Sequence, residues 1–139
     1  MNPRYIIACI VVWAFMFFFE GCFHGKILDP FYQATANLWR TPTDMQASFH
    51  WLVAGQMIFA FLFGYVFTKG YENKGVGEGA RYGLLIGLIL APANMVMYAV
   101  QPLPVALVAA WCVGGVLELA AAGMILAAIY RPVRPIPNS

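Results

Sequence analysis

Glu118 stands inside GGVLELAAAG, residues 114–123, a run that is otherwise wholly small and apolar. A carboxyl group in such surroundings suits the uptake and release of a proton. Left charged and unpaired deep in a membrane it costs on the order of several kcal/mol, so it is either protonated or hydrogen-bonded. Two polar side chains offer themselves as partners. Gln56 belongs to the series Gln56-Ala60-Gly64, and Asn94 follows Gly83-Gly87-Ala91, while Glu118 itself belongs to Ala110-Gly114-Glu118-Ala122. Spacings of three and four keep each series on one helix face. Lipid gives helices no hydrophobic reason to associate, so small residues recurring every four positions mark where backbones approach.

Gly64, Gly83, Gly87 and Gly114 are therefore the expected packing positions. Gln56, Asn94 and Glu118 are the expected intramembrane polar site, turned away from lipid, with Glu118 protonated or bonded to Asn94 or Gln56. Such a trio has two readings. It ties helices together, at about 0.6 kcal/mol per hydrogen bond, or it is the proton-exchanging site of a small carrier or channel. Ser, Thr or Asn would serve as glue more economically than a carboxylic acid, which strengthens the functional reading, but the structural reading is the one expected.

A second constellation is Glu20 and His24, four residues apart, together with His50. A carboxylate and two imidazoles suit iron or zinc, and two histidines on neighbouring helices are able to clasp a haem. His50 and Gln56, however, are six residues apart, about 240° around a helix, so an inward Gln56 leaves His50 free to face elsewhere. Interfacial histidines without a ligand role are the more ordinary case, and no cofactor is assigned. Cys9, Cys22 and Cys112 form no Cys-x-x-Cys pair, and the seven methionines are scattered and read as packing. Ser-His-Asp, His-Glu-x-x-His and nucleotide fingerprints do not occur, so an enzyme is not expected.

The elements that must position these residues follow from composition. The chain is 62% apolar and 10% charged, with a mean hydropathy of +0.73, far from the soluble norm of about half apolar and a quarter charged. Four apolar segments, 5–23, 48–68, 82–100 and 103–130, are each about 19 to 28 residues, enough for a ~30 Å hydrocarbon core. They are continuous and rich in Leu, Ala, Phe and Gly, unlike the short alternating strands of a barrel. The expectation is an all-α membrane protein, one domain over 1–139, built as an antiparallel four-helix transmembrane bundle. The FFFEGCFHG stretch offers no small-x-small cleavage site, so the first span is expected to be retained, and Phe19 and Glu20 speak against lipid attachment at Cys22.

Lys and Arg fall unevenly between the loops. Arg4, Lys69, Lys74, Arg81, Arg131 and Arg134 lie on one side and only Lys26 and Arg40 on the other, which makes the richer side, with both termini, cytoplasmic. The tail 131–139, RPVRPIPNS, reads as an anchor to anionic lipid rather than a nucleic-acid binder. Residues 69–80, KGYENKGVGEGA, read as an inner turn, with Gly70 ending one helix and Glu78 in the first turn of the next. On the outer side QPLP is a tight hairpin whose Pro104 suits a helix start. Residues 29–39 read as a short amphipathic helix in the outer interface, with Asp29 as N-cap and Pro30 at its first position. Thr41-Pro42-Thr43-Asp44 then restarts a helix running into the second span.

FHGKILDPFYQATANLWR, GYVFTKGYENKGVGEGARYGLLIGL, YAVQPLP and the closing AAIYRP together resemble small bacterial four-span membrane proteins of unknown function, over most of the chain. The resemblance implies a bacterial inner-membrane protein and carries over no activity or site residue. The expected function is that of a non-catalytic accessory or assembly subunit packing on partner membrane subunits; the alternative is a small, oligomeric proton-coupled carrier or channel using Glu118, and more distantly a metal- or haem-binding membrane protein.

Overall fold

Inside a bilayer no water satisfies backbone N–H and C=O groups, so an apolar segment of spanning length folds as a helix. The computed structural model of the chain describes residues 3–130; the tail 131–139, with its expected lipid anchor, lies outside them. Every regular element among the described residues is helical: α1 (Pro3–Cys22), a π-helical stretch (Phe23–Ile27), α2 (Asp29–Ala34), a 3-10 turn (Ala36–Leu38), α3 (Pro42–Ala47), α4 (Phe49–Lys69), α5 (Val76–Val100) and α6 (Val105–Ile129). Four helices are long and apolar enough to cross a membrane: α1 with its π-helical extension, α4, α5 and α6.

The boundaries differ from the sequence reading where glycine and proline act. The third span starts at Val76, six positions before 82, because Gly75 takes the left-handed φ of 77° that lets the chain turn straight into the helix. Residues 29–39 do not form one helix. α2 stops at Ala34, and Leu28 rather than Asp29 stands at its N-cap. Thr41 does cap α3, its hydroxyl accepting the Asp44 N–H at 3.2 Å, but the chain is interrupted at Ser48 before α4. α5 runs on through Pro92.

The helices pack by two different means. α5 and α6 meet backbone to backbone: a Cβ added at Gly83 would collide with the Leu119 carbonyl, one at Gly79 with the Gly123 carbonyl, and one at Gly87 would sit 2.8 Å from Val116 Cα. α1, α4 and α6 instead bury side chains, with Ala8, Val12, Met16, Ala60, Phe63, Phe67, Ala122 and Leu126 in one cluster. Gly64 admits Cys9 and Gly114 admits the Phe23 ring, and a Cβ at either would strike them. Other apolar side chains are exposed on every span, Phe18, Trp51, Ile89 and Leu117 among them, as lipid-facing residues are.

The two ends of the helix assembly are finished differently. At the end carrying the 70–75 turn, Phe67 packs on Tyr71, Tyr82 and Tyr130, and Tyr82 donates to the Phe63 carbonyl at 2.6 Å. The turn is held by Glu78, a buried carboxylate that accepts the backbone N–H groups of Glu72 (2.6 Å) and Lys74 (2.7 Å). At the other end the connector from Phe23 to Ala47 folds over Leu103, Leu107 and Val108, with Leu28, Tyr32 and Trp39 among the side chains that cover them.

Candidate functional site

The Tyr82 ring of α5 lies on Phe63 and Phe67 of α4. A cavity of about 290 Å³ lies between the four spanning helices. Gly55 and Gly115 line it, and a Cβ at either would meet nothing within 4 Å. α1 contributes Met16 and Glu20, α4 Gln56 and Phe59, α5 Ala91 and Asn94, and α6 Trp111 and Glu118. Gln56, Asn94 and Glu118, three residues drawn from three separate helices, thus line one cavity, and Glu20 joins them.

The hydrogen bonding is uneven. Gln56 Nε2 donates to the Glu20 carboxylate, so the amide expected beside Glu118 is held by another acid. Glu118 is 6% exposed, and its Oε1, like Gln56 Oε1, is buried without a hydrogen-bond partner. Glu118 is therefore not tied to Gln56. A buried oxygen lacking a donor forgoes about 1–3 kcal/mol of compensation for its lost water.

Around Glu20 the polar side chains continue toward the connector. Trp111 Nε1 donates to the Tyr32 hydroxyl at 2.8 Å, and that hydroxyl is hydrogen-bonded to His24 Nδ1 at 2.6 Å. Burial pushes the Tyr32 phenol above its ordinary pKa. A second, larger cavity of about 800 Å³ lies here between α1, α4 and the connector, lined by Phe17, His24, Tyr32, Trp39, Arg40 and Phe49 among others. Glu20 and Gln56 line both cavities, so their hydrogen-bonded pair is the shared wall between them.

Glu20, His24 and His50 are not brought together. Glu20 pairs with Gln56 and His24 with Tyr32, while His50 is exposed beside Trp51, their ring centroids 5.4 Å apart. Six residues separate His50 from the inward Gln56 on α4, and that rotation carries it off the shared face. Among the described residues no three His, Cys, Asp or Glu side chains are grouped to hold a metal ion. Glu20 belongs to the carboxylate cavity instead, a placement foreshadowed by Met16, four residues earlier and buried on the same face. Nothing in the sequence pointed to the Trp111–Tyr32–His24 chain, whose members are 79 and 8 residues apart. The chain matches no known protein family, no curated protein and no solved structure.

Proposed function

We propose that this chain is a small proton-coupled carrier or channel of the bacterial inner membrane. In this reading it is an antiparallel four-helix bundle with both termini cytoplasmic and the 23–47 connector, including α2, at the outer interface. Glu118 is its exchanging group, with Glu20, Gln56 and Asn94 as polar neighbours and the larger cavity as the outer entrance. The single observation that carries this is the convergence of two acids and two amides from four helices on one cavity, with the Glu118 oxygen unpartnered. Ionisable groups inside a membrane are expensive, and they mark proton and ion pathways.

The accessory-subunit reading would use apolar faces on partner helices. Exposed apolar side chains are spread over all four spans rather than gathered on one, so no particular face speaks for it. The two cavities described lie on the connector side, while among the described residues the Phe67, Tyr71, Tyr82 and Tyr130 rings pack on one another at the other end. Release on the second side then requires a rearrangement or a second copy, in keeping with an oligomeric carrier.

The test is flux in liposomes loaded with a pH-sensitive dye. An imposed pH gradient should collapse faster with the wild type than in empty vesicles, and Glu118→Gln should return the rate to that of empty vesicles. Equal rates for the wild type and Glu118→Gln would sink the proposal. Extraction in native lipid nanodiscs as a stoichiometric part of a larger assembly would favour the accessory reading.

A further inference from the structure

The smaller cavity has a one-sided chemistry. Its walls carry two carboxyl groups, Glu20 and Glu118, and no Lys, Arg or His. Two of its buried oxygens, Glu118 Oε1 and Gln56 Oε1, accept nothing, while two donors on the same walls are already committed, Gln56 Nε2 to Glu20 and Trp111 Nε1 to Tyr32. Asn94 adds one more amide to the walls, but the buried groups left without a partner there are acceptors, which suits a guest that brings N–H groups and positive charge. Apart from Asn94 and Cys112 the rest of the lining is apolar and partly aromatic, with Met16, Phe59, Leu90, Trp111 and Leu119 among it. Aromatic faces attract cations, and apolar walls receive a hydrocarbon tail. The volume of about 290 Å³ is far more than a bare ion needs and stands at the lower end of the ~300–1,000 Å³ typical of small-molecule sites.

We propose that this cavity binds a small protonated amine carrying an apolar chain or ring. Its ammonium donates to Glu118 Oε1 and Gln56 Oε1, and its apolar part lies against Phe59 and Trp111. The inference rests on the reading of Glu118 as an exchanging acid and names what it exchanges for: on binding, the ammonium replaces the carboxyl proton, which leaves to bulk water. The larger cavity is the vestibule. Phe17, Tyr32, Trp39 and Phe49 give it aromatic walls and Asp29 a negative charge, although Arg40 stands there too, and the Glu20–Gln56 pair must be passed to reach the site.

The experiment is titration calorimetry on the full chain in lipid nanodiscs at neutral pH, with 2-phenylethylammonium as the probe. Repeating it in buffers of different ionisation enthalpy counts released protons. The expected result is saturable binding with proton release, weakened at least about tenfold, roughly 1.4 kcal/mol, by Glu118→Gln. Gln56→Met should weaken it by about threefold to tenfold, as loss of one hydrogen bond does. Circular dichroism and gel filtration check that both variants remain folded, and either variant suffices if the other fails.

Equal affinity for tetraethylammonium, which has charge but no N–H, overturns the proposal, as does equal affinity for 2-phenylethanol, which has the ring but no charge. Binding of sodium or potassium alone overturns it as well. The infrared carboxyl band that disappears in Glu118→Gln separates the two levels. If that band titrates with bulk pH while no amine binds, the amine site falls and the proton site stands. If it does not titrate and no amine binds, both fall.

Discussion

Glu78 and Glu118 are two glutamates of nearly equal burial, 7% and 6% exposed, and they have opposite circumstances. Glu78 gives each of its oxygens to a backbone N–H and closes the turn between α4 and α5. Glu118 leaves an oxygen without a partner beside a cavity. Burial by itself says little about a carboxyl group; the donors around it decide whether it is a structural brace or an available ligand. The same contrast holds for the two ends of the molecule. The turn end is filled by packed tyrosine and phenylalanine rings, and the two cavities lie toward the connector.

The contrast can be broken most severely at the helix seam. Gly83→Val puts a branched side chain into the Leu119 carbonyl and should cost on the order of 3 kcal/mol or more. Gly115→Ala, where a Cβ meets nothing within 4 Å, should leave the thermal midpoint in nanodiscs unchanged. Next comes Glu78→Gln. An amide has only one acceptor oxygen for two N–H groups, and a loss of about 1–3 kcal/mol is expected in the same thermal scan.

Tyr32→Phe removes the hydroxyl that joins Trp111 to His24 and should cost about 1 kcal/mol. It should also remove a pH effect. Because burial raises the Tyr32 pKa above its ordinary 10.0, its stabilising contribution is complete below that value and is lost as pH rises through the raised one. The alkaline loss of stability should shrink in Tyr32→Phe, and an unchanged alkaline limb would break the assignment.

Glu118→Gln sharpens the comparison most. An amide replacing an unpartnered carboxyl should leave stability within about 1 kcal/mol of the wild type, on the favourable side if it moves, where Glu78→Gln destabilises. A large loss for Glu118→Gln would make it a brace after all. The smallest effect is expected at exposed Glu72, which forms an ion pair with Lys74. The Lys74 ammonium lowers the Glu72 pKa, so any contribution is present above the ordinary carboxylate range and is lost as pH falls through the lowered value. Glu72→Gln should not move the thermal midpoint measurably.

The four spans were legible in the sequence because hydrocarbon punishes anything but a long apolar helix. The polar trio was legible for a related reason: Gln56, Asn94 and Glu118 each share a face with small residues that recur at helical spacing, and polar side chains do not face lipid. What could not be read was pairing across helices. Gln56 chose Glu20 over Glu118, and Gly79 chose Gly123, because such choices depend on helix rotation and register, which single-chain periodicity leaves open. The early start of α5 was hidden for another reason. VGEGA looks like loop composition, yet Gly79 is helical because its missing side chain lets α6 approach, a tertiary demand that overrides propensity. The connector was misread in the opposite sense: its apolar pattern suited one helix over 29–39, but the backbone breaks at Thr35 and lets Tyr32 and Trp39 pack edge to face.

The α5–α6 seam also bears on how much of this sequence is free to change. Where backbone lies on backbone, the specification is written in omissions: at Gly79, Gly83 and Gly87 any side chain at all is wrong. A few residues away, Leu84, Leu85, Leu88 and Ile89 are exposed, and lipid asks of them only that they stay apolar. A chain of this kind tolerates wide drift over most of its surface while three or four one-atom positions hold its shape. Two such proteins could therefore differ at most of their letters and still close the same seam.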